Sequence, residues 1–598
     1  MADLPWHDAG DFEDADRGFI AKLSPAVIRS LDGGVVWDND AYDFLQGDCP
    51  DTAHPSLWRQ GQLCARQGLY EVTEGVYQVR GLDLSNMTLV EGERGVVVID
   101  PLVSTECAAA ALKLYRAHRG GRPVTGVVYT HSHADHFGGV RGVTGGGVPI
   151  LAPKGFMEHA VTDNLYAGPA LTRRALYMYG AALPRSPEGQ IGAGLGMTLS
   201  TGTMSLIPPT AEIERTGQEE TVDGVEMVFQ LTPGAEAPAE MNLLLPARRA
   251  LCLAENATHN QNSMLPLCGA VVRDARAWAR YLTEAIALFA DRADVAFASH
   301  HWPTWGRDRI ERFLSQQRDM YAYLHDQTLR LLNKGLTGAE IAETLRLPPA
   351  LQQTWHTRGY SGSLIHNVMA LYQRYLGWFD GNPAHLWEHP PRESAVRYVE
   401  CLGGGAAVVE FARRYVREND LRFAAQLLNH AVFADEGNKE ARDLLAEVYT
   451  RLGHGTESAT WRNFYLTGAL ELSDGIVPAD VEVTPADFLA ALSVEQIFDS
   501  IAIRVDGPRA WNERLSIDWH LTDLGERHRT TLANGVLVQQ PEPRGTADLT
   551  LRLTKAQLVG LLSGQGVEGV EREGDTRVLR RLVAVLDHPL PDFAVVTA

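Results

Sequence analysis

The 598-residue chain has no C-x-x-C pair among its six cysteines, at positions 49, 64, 107, 252, 268 and 401. They look like neither a thiolate zinc site nor a disulfide framework. Basic charge is also short, with 54 Lys and Arg against 75 Asp and Glu and a formal charge of -21. No basic stripe is visible, which argues against nucleic acid as a partner. The acidic balance would also repel an anionic substrate. Any anion site must therefore supply its own positive charge from a metal, an arginine or backbone N–H groups. No apolar run approaches the roughly 18 residues that a membrane helix needs. The first ten residues, MADLPWHDAG, show neither the basic start nor the apolar run of a secretory leader, so a cytoplasmic protein is expected.

What is present is an ordinary balance of 45% apolar and 22% charged residues in a chain too long for one core, which implies a globular, multidomain protein. The densest chemistry lies at residues 127–139. There an apolar, β-branched run suited to a buried strand leads into His131, His133, Asp135 and His136. Imidazole and carboxylate suit zinc, and Gly138 and Gly139 let the backbone turn sharply so that neighbouring side chains converge.

This H-x-H-x-D-H arrangement resembles the signature of the metallo-β-lactamase superfamily. The stretches 83–88, 232–241, 254–259, 298–305 and 372–380 resemble those of its alkyl sulfatases, and the likeness runs from about residue 10 to the C-terminus. The resemblance implies an α/β fold, an αββα sandwich with a two-zinc site at its edge. On that pattern His131, His133 and Glu236 hold the first Zn2+ ion, Asp135, His136 and His300 the second, and Glu255 bridges them. Asp100, where an apolar strand runs out, would buttress the ligands from behind, although such an Asp can also be a plain turn former. Four ligands cannot fill two zinc sites, so the others must come from farther along. Apolar strands at 227–231, 250–254 and 295–299 lead to Glu236, Glu255 and His300. Glu240 and His301 are the neighbours that could be mistaken for two of them. A metal-activated water held by Glu255 and Asp135 would hydrolyse a sulfate monoester of an aliphatic alcohol, giving alcohol and hydrogen sulfate.

The candidate substrate contacts are Asn86, Tyr179, His259, Cys268, Arg358 and Ser361, several of which depart from the family pattern. After the bridging Glu that pattern has a His-Asn pair, then an Arg followed by Gly-Ala. This chain has Asn262 and Ser263 at the pair and Cys268 at the Arg, with Ser361 where a second Tyr is common. A thiol cannot replace the planar fork with which Arg grips an oxyanion. Either the substrate is a different small anionic ester, or Arg358, Arg173 or Arg174 binds the sulfate. An insert from 140 to about 225, with Tyr and Arg interleaved, suits a lid or substrate channel.

Four segments are expected: an N-terminal arm over 1–60, the catalytic domain over 61–390, a helical segment over 391–475 and a final domain over 479–598. Thr337 and Glu340 have capping-box spacing, and Pro390-Pro391 marks a boundary. Residues 423–432 and 441–449 read as paired helices of the tetratricopeptide type. The matching segment of alkyl sulfatases is a dimerisation domain, which implies a homodimer. In the last segment we expect a helix over 486–492 and strands over 500–504, 515–519, 530–537 with a turn at Asn534-Gly535, and 547–552, then a helix over 555–562. The pattern resembles a sterol-carrier-protein-like α+β domain with an apolar groove.

Overall fold

A computed structural model describes residues 4–478, 486–562, 569–588, 590 and 592–598. The chain forms two units, one of Met1–His159, Leu171–Val481 and Asp592–Ala598, the other of Ala160–Ala170 and Glu482–Pro591. The expected segment over 391–475 thus belongs to the same unit as the catalytic sandwich, and the stretch 479–485 lies outside the described residues.

The first unit is built on two sheets. One has eight strands in spatial order Phe19–Ala21, Gly68–Thr73, Val76–Arg80, Met87–Glu91, Val96–Ile99, Val124–Val128, Ile150–Pro153 and Ala211–Ile213. The other has six, in order Glu219–Val222, Val225–Leu231, Met241–Leu245, Ala250–Cys252, Val295–Phe297 and Thr304–Trp305. Side chains alternate across each strand and so divide between two cores. Met227 and Phe229 meet Val97, Ile99 and Val128 between the sheets. Val228, Leu244, Leu251 and Ala296 point the other way, onto Trp278 and Leu282 of the helix Ala275–Phe289 and Ile310 of Arg307–Leu332. On the outer face of the first sheet, Tyr115 of the helix Thr105–Arg119 packs 5.8 Å from Tyr77. Helix, sheet, sheet and helix are therefore the layers, as a buried face on each element requires.

Each sheet contains a parallel pair joined by one of these helices: Val96–Ile99 with Val124–Val128, and Ala250–Cys252 with Val295–Phe297. A parallel pair needs such a crossover, and it sends both carboxyl ends to the same edge. The N-terminal residues join this body, since Phe19–Ala21 pairs with Gly68–Thr73 and Tyr42 Oη donates to Gln190 at 2.8 Å. The expected insert contains the helices Phe156–Tyr166 and Gly168–Tyr179 and adds the last two strands of the first sheet.

The capping box at Thr337 and Glu340 is present at the start of Gly338–Thr344. Five helices follow Pro390: Pro391–Cys401, Gly405–Arg417, Leu421–Ala434, Lys439–Gly455 and Ala459–Asp474. They share a core of Val408, Leu428, Val432, Leu445 and Val448, with Val596 of the C-terminus. In the second unit, strands run Val536–Pro541, Glu526–Ala533, Leu515–Leu521, Leu549–Leu553, Glu571–Gly574. The hairpin turn is Asn534 and Gly535, both at positive φ, the conformation an Asn-Gly pair adopts most easily. The expected strand at 500–504 is instead the end of a helix, Val494–Ala502. Ser493 and Gln496 form a capping box there, and Val494, Ile497, Phe498 and Ile501 are buried at helical spacing. Among the described residues, no helix is long and apolar enough to cross a membrane.

Candidate metal centre

Four strand ends converge at one edge of the sandwich. Val96–Ile99 leads to Asp100, Val124–Val128 to His131, Ala250–Cys252 to Glu255 and Val295–Phe297 to His300. Asp100, Ala254 and His301 take positive φ, a costly backbone state for non-glycine residues that is found where a site dictates the turn. The tight packing beneath the histidine loop explains its two glycines. A Cβ on Gly138 would lie 2.2 Å from the Val103 carbonyl oxygen, and one on Gly139 2.1 Å from that of Pro101.

Asp100 is buried at the hub. Its Oδ1 accepts from the Thr130 backbone N–H at 2.8 Å, and its Oδ2 accepts from Thr130 Oγ1 at 2.6 Å and Ser299 Oγ at 2.5 Å. The same Oδ2 lies 3.1 Å from His136 Nδ1, which orients that ring so that Nε2 faces the centre. Thr130 Oγ1 meets His131 Nδ1 at 3.0 Å, and the Leu84 carbonyl meets His300 Nδ1 at 3.3 Å, which turns those two Nε2 atoms inward as well. Asp100 could be grouped with His131 and His136 as a ligand set. With both oxygens already engaged, it is better placed to hold ligands than to be one.

The inward atoms form two clusters. His131, His133, Glu236 and Glu255 each offer a donor atom within 4.8 Å of the others, and Asp135, His136 and His300 do the same. His133 Nδ1 lies 2.9 Å from Glu236 Oε2, and His136 Nε2 lies 3.1 Å from Asp135 Oδ2. Glu255 Oε2 reaches both clusters, at 3.6 Å from His131 Nε2, 3.7 Å from His136 Nε2 and 3.5 Å from His300 Nε2. The Nε2 atoms of His131, His136 and His300 and Oε2 of Glu236 are buried and make no well-aligned hydrogen bond, their nearest polar neighbours being other members of the same two clusters. Buried polar atoms are rarely left so, and four converging orphans of ligand type fit divalent cations.

The electrostatics of the protein groups agree. Burial would raise Asp135, but His136 and His300 hold its carboxyl well below the usual range. Burial would lower His300, but Glu255 and Asp135 bring it up to about 9. His133 and Asp135, at 29% and 14% side-chain exposure, are the open side of the site.

Glu240 has a different place from Glu236. Its carboxylate accepts the backbone N–H of Glu236 at 3.1 Å and that of Glu255 at 3.4 Å, so it braces the backbone that carries both of them. Burial, then Glu236 and Glu255, push its pKa well above the carboxylate range.

The substrate-side residues divide. Burial raises the Tyr179 phenol well above its usual range, and Asp135, Glu255 and Glu236 raise it further. The Cys268 thiol is raised by burial, opposed by Arg273 and Arg174. Asn262 Nδ2 donates to Glu255 Oε1 at 2.7 Å, and Ser361 Oγ lies 3.5 Å from Asn262 Oδ1. Ser263 accepts Arg273 Nη1 on its carbonyl at 2.7 Å. Arg358, by contrast, is committed to Glu457, at 2.7 and 2.5 Å, and to the Gln352 carbonyl. Arg173 is fully buried on Glu471 and the Phe593 and Val477 carbonyls. Neither is free to take a sulfate; of the arginines expected there, only exposed Arg174 remains near Cys268. His259 is a core histidine, stacked 4.5 Å from Trp302 and 5.0 Å from Phe313 and depressed by burial to about 3. Asn86 acts on the backbone, donating its Nδ2 to the His301 carbonyl at 2.7 Å.

One residue was absent from the sequence reading. Arg273, 8% exposed, donates to Glu236 Oε1 and is the cation among three buried glutamates. Its signal was slight: an Arg one position before Asp274, the N-cap of Ala275–Phe289.

Residues 80–300, which span both clusters, match the metallo-beta-lactamase superfamily, residues 337–475 match alkyl sulfatase dimerisation, and residues 482–598 match alkyl sulfatase C-terminal. A linear primary-alkylsulfatase of Pseudomonas sp. is 45% identical, covering 98% of this chain and 90% of its own length. An alkyl/aryl-sulfatase of Saccharomyces cerevisiae is 44% identical, over 99% of this chain and 94% of its own. The solved structure of a stereoselective inverting sec-alkylsulfatase from Pseudomonas sp. superposes with a TM-score of 0.97 at 44% identity, covering 100% of this chain and 96% of that one. A likeness that extends over both units and the whole site shows that the chain is a hydrolase and belongs to the alkyl sulfatase family of the metallo-β-lactamase superfamily.

Proposed function

We propose that this protein is a dinuclear zinc hydrolase of alkyl sulfate esters. His131, His133 and Glu236 would hold one ion, Asp135, His136 and His300 the other, with Glu255 shared. The carrying observation is the reach of Glu255 Oε2 to three inward imidazoles that belong to both clusters. When bound, two such ions supply the Lewis acidity that makes a water nucleophilic near neutral pH. The chain's own residues do the positioning. Asp100 fixes His136 and the Thr130 turn, Asn262 holds Glu255 by one oxygen, and Arg273 holds Glu236. Tyr179 and Arg174 would meet the anionic end of the ester on the side of Cys268.

Relatives named for primary and for secondary alkyl sulfates are alike at 45% and 44% identity, so likeness does not choose between these alcohols. A second reading rests on Cys268, a thiol at a position where the family pattern has Arg: the same hydrolytic centre acting on another small ester. Zinc-loaded protein should hydrolyse primary and secondary alkyl sulfates in preference to the matching phosphates and carboxylic esters, and lose the activity on chelation. Cys268→Arg should then lower KM for alkyl sulfates on the order of 10-fold, because a charge-assisted fork replaces a neutral group. A parent inactive on sulfates but active on another ester favours the second reading. No hydrolysis of any ester rejects both.

A homodimer fits the match of 337–475 to alkyl sulfatase dimerisation. Within that range Trp378 and Trp387 are 74% and 95% exposed, with Leu376, Leu386 and Tyr398 also exposed. Large exposed apolar side chains of this kind suit a docking surface. The double substitution Trp378→Glu and Trp387→Glu should convert a dimer to a monomer in sedimentation at micromolar concentration. A monomeric parent contradicts the proposal. The free state of all six cysteines, two of them buried, supports a cytoplasmic location.

A further inference from the structure

Behind the candidate metal centre lies a polar cavity of about 20 Å3, lined among others by Arg66, Arg80, Asp83, Leu84, Asn86 and Trp302. Arg80 is 5% exposed, and its guanidinium stacks 3.4 Å above the Tyr70 ring. That contact fixes the plane of the group but satisfies none of its N–H bonds. Nε and Nη2 of Arg80 and Nε1 of Trp302 are all buried without a hydrogen-bond partner. These orphans are donors only, and Arg80 has no ion pair among the described residues.

The nearby acid does not serve as its counter-ion. Asp83 accepts from Leu84 N at 2.9 Å, Ser200 N at 3.0 Å, Ser200 Oγ at 2.7 Å and Val103 N at 3.2 Å, so its oxygens are taken. Arg66, the other cation at the cavity, is paired with Asp16. A buried guanidinium with unmet donors is costly, and a partner of opposite charge relieves both the charge and the donors. The cavity has room for one particle of water or halide size. A water would bring two hydrogens into a site whose carboxylate is already saturated. An anion brings only acceptor capacity.

We propose that this cavity binds one halide-sized monovalent anion, with chloride the candidate ligand, between the Arg80 guanidinium and the Trp302 indole N–H. The anion would brace the metal centre from behind. Leu84, which lines the cavity, faces His300 Nδ1 with its carbonyl, and Asn86 ties itself to the Ser299 and His301 carbonyls by its backbone N–H and its side chain, each at 2.7 Å.

The test uses the full-length, metal-loaded protein. Crystals soaked in bromide should show an anomalous peak within hydrogen-bond reach of Arg80 and Trp302 Nε1. At constant ionic strength, replacing gluconate by chloride should raise the unfolding midpoint by roughly 2 °C or more. Arg80→Met should remove that difference, and Trp302→Phe should weaken the chloride dependence on the order of 10-fold in concentration. The proposal is overturned if the bromide peak is absent and only water density fills the cavity. It is equally overturned if the native protein unfolds alike in both salts, or if Arg80→Met keeps the difference. The bromide experiment needs no variant and so stands even if Arg80→Met does not fold.

Discussion

Glu255→Gln should lower kcat on the order of 10³-fold or more and leave the purified protein short of metal. The side chain keeps its size and its contact with Asn262 Nδ2, so the fold is expected to survive. What disappears is the one negative charge whose oxygen lies 3.5 to 3.7 Å from His131, His136 and His300 alike. Without it, the buried imidazoles of both clusters lose their shared anion. Metal content by mass spectrometry and kcat on an alkyl sulfate check the result. Glu240→Gln is the control. Its two oxygens accept N–H groups of Glu236 and Glu255 but belong to neither ligand cluster, and burial with two acidic neighbours raises its pKa well above the carboxylate range. An amide replaces one acceptor by a donor, a loss of about 1–3 kcal/mol in stability, with metal content unchanged and kcat within about 10-fold of the parent. Equal loss of metal in the two variants would show that the ligand role had been given to the wrong glutamate.

Arg273→Met should destabilise the metal-free protein by about 3–5 kcal/mol, and the metal-loaded protein by less. The guanidinium is buried with Glu236, and Glu255 adds a second negative charge to the same pocket. Removing the cation leaves Glu236 with only His133, 2.9 Å away, to balance its charge, or forces it to take up a proton. Bound metal would supply part of the missing positive charge, which is why the loss should depend on loading. Adding Glu236→Gln to Arg273→Met should restore much of the stability of the metal-free state, because removing both partners leaves no buried unpaired charge. Denaturant unfolding of the parent, Arg273→Met and the double variant, each chelated and metal-loaded, measures these differences. If Arg273→Met has the same effect with and without metal, Arg273 does not share the electrostatics of the centre.

The lines most easily read from the residues were those where chemistry is local along the chain. His131, His133, Asp135 and His136 stand together, and an Asn-Gly pair at 534–535 specifies its own turn. The distant candidate ligands were legible because Glu236, Glu255 and His300 each follow an apolar strand, and strands in one sheet deliver their ends to one edge. The strand expected at 500–504 failed for a related reason. Ile501 and Ile503 alternate as in a strand, yet the capping box at Ser493 and Gln496 starts a helix that runs through Ala502. A cap upstream outweighs a short stretch of alternation that fits either period.

The arginines show the boundary between the two kinds of knowledge. Sequence alone determined the donor types, their spacing around the histidine motif and the family to which that pattern points. It could not assign Arg358, Arg173 and Arg273, because an arginine's role depends on which acid it meets through space. Arg358 meets Glu457, Arg173 meets Glu471 and Arg273 meets Glu236. Only the folded chain decides those pairings, since each joins residues dozens to hundreds of positions apart, and a buried charge takes the partner that tertiary packing puts within reach.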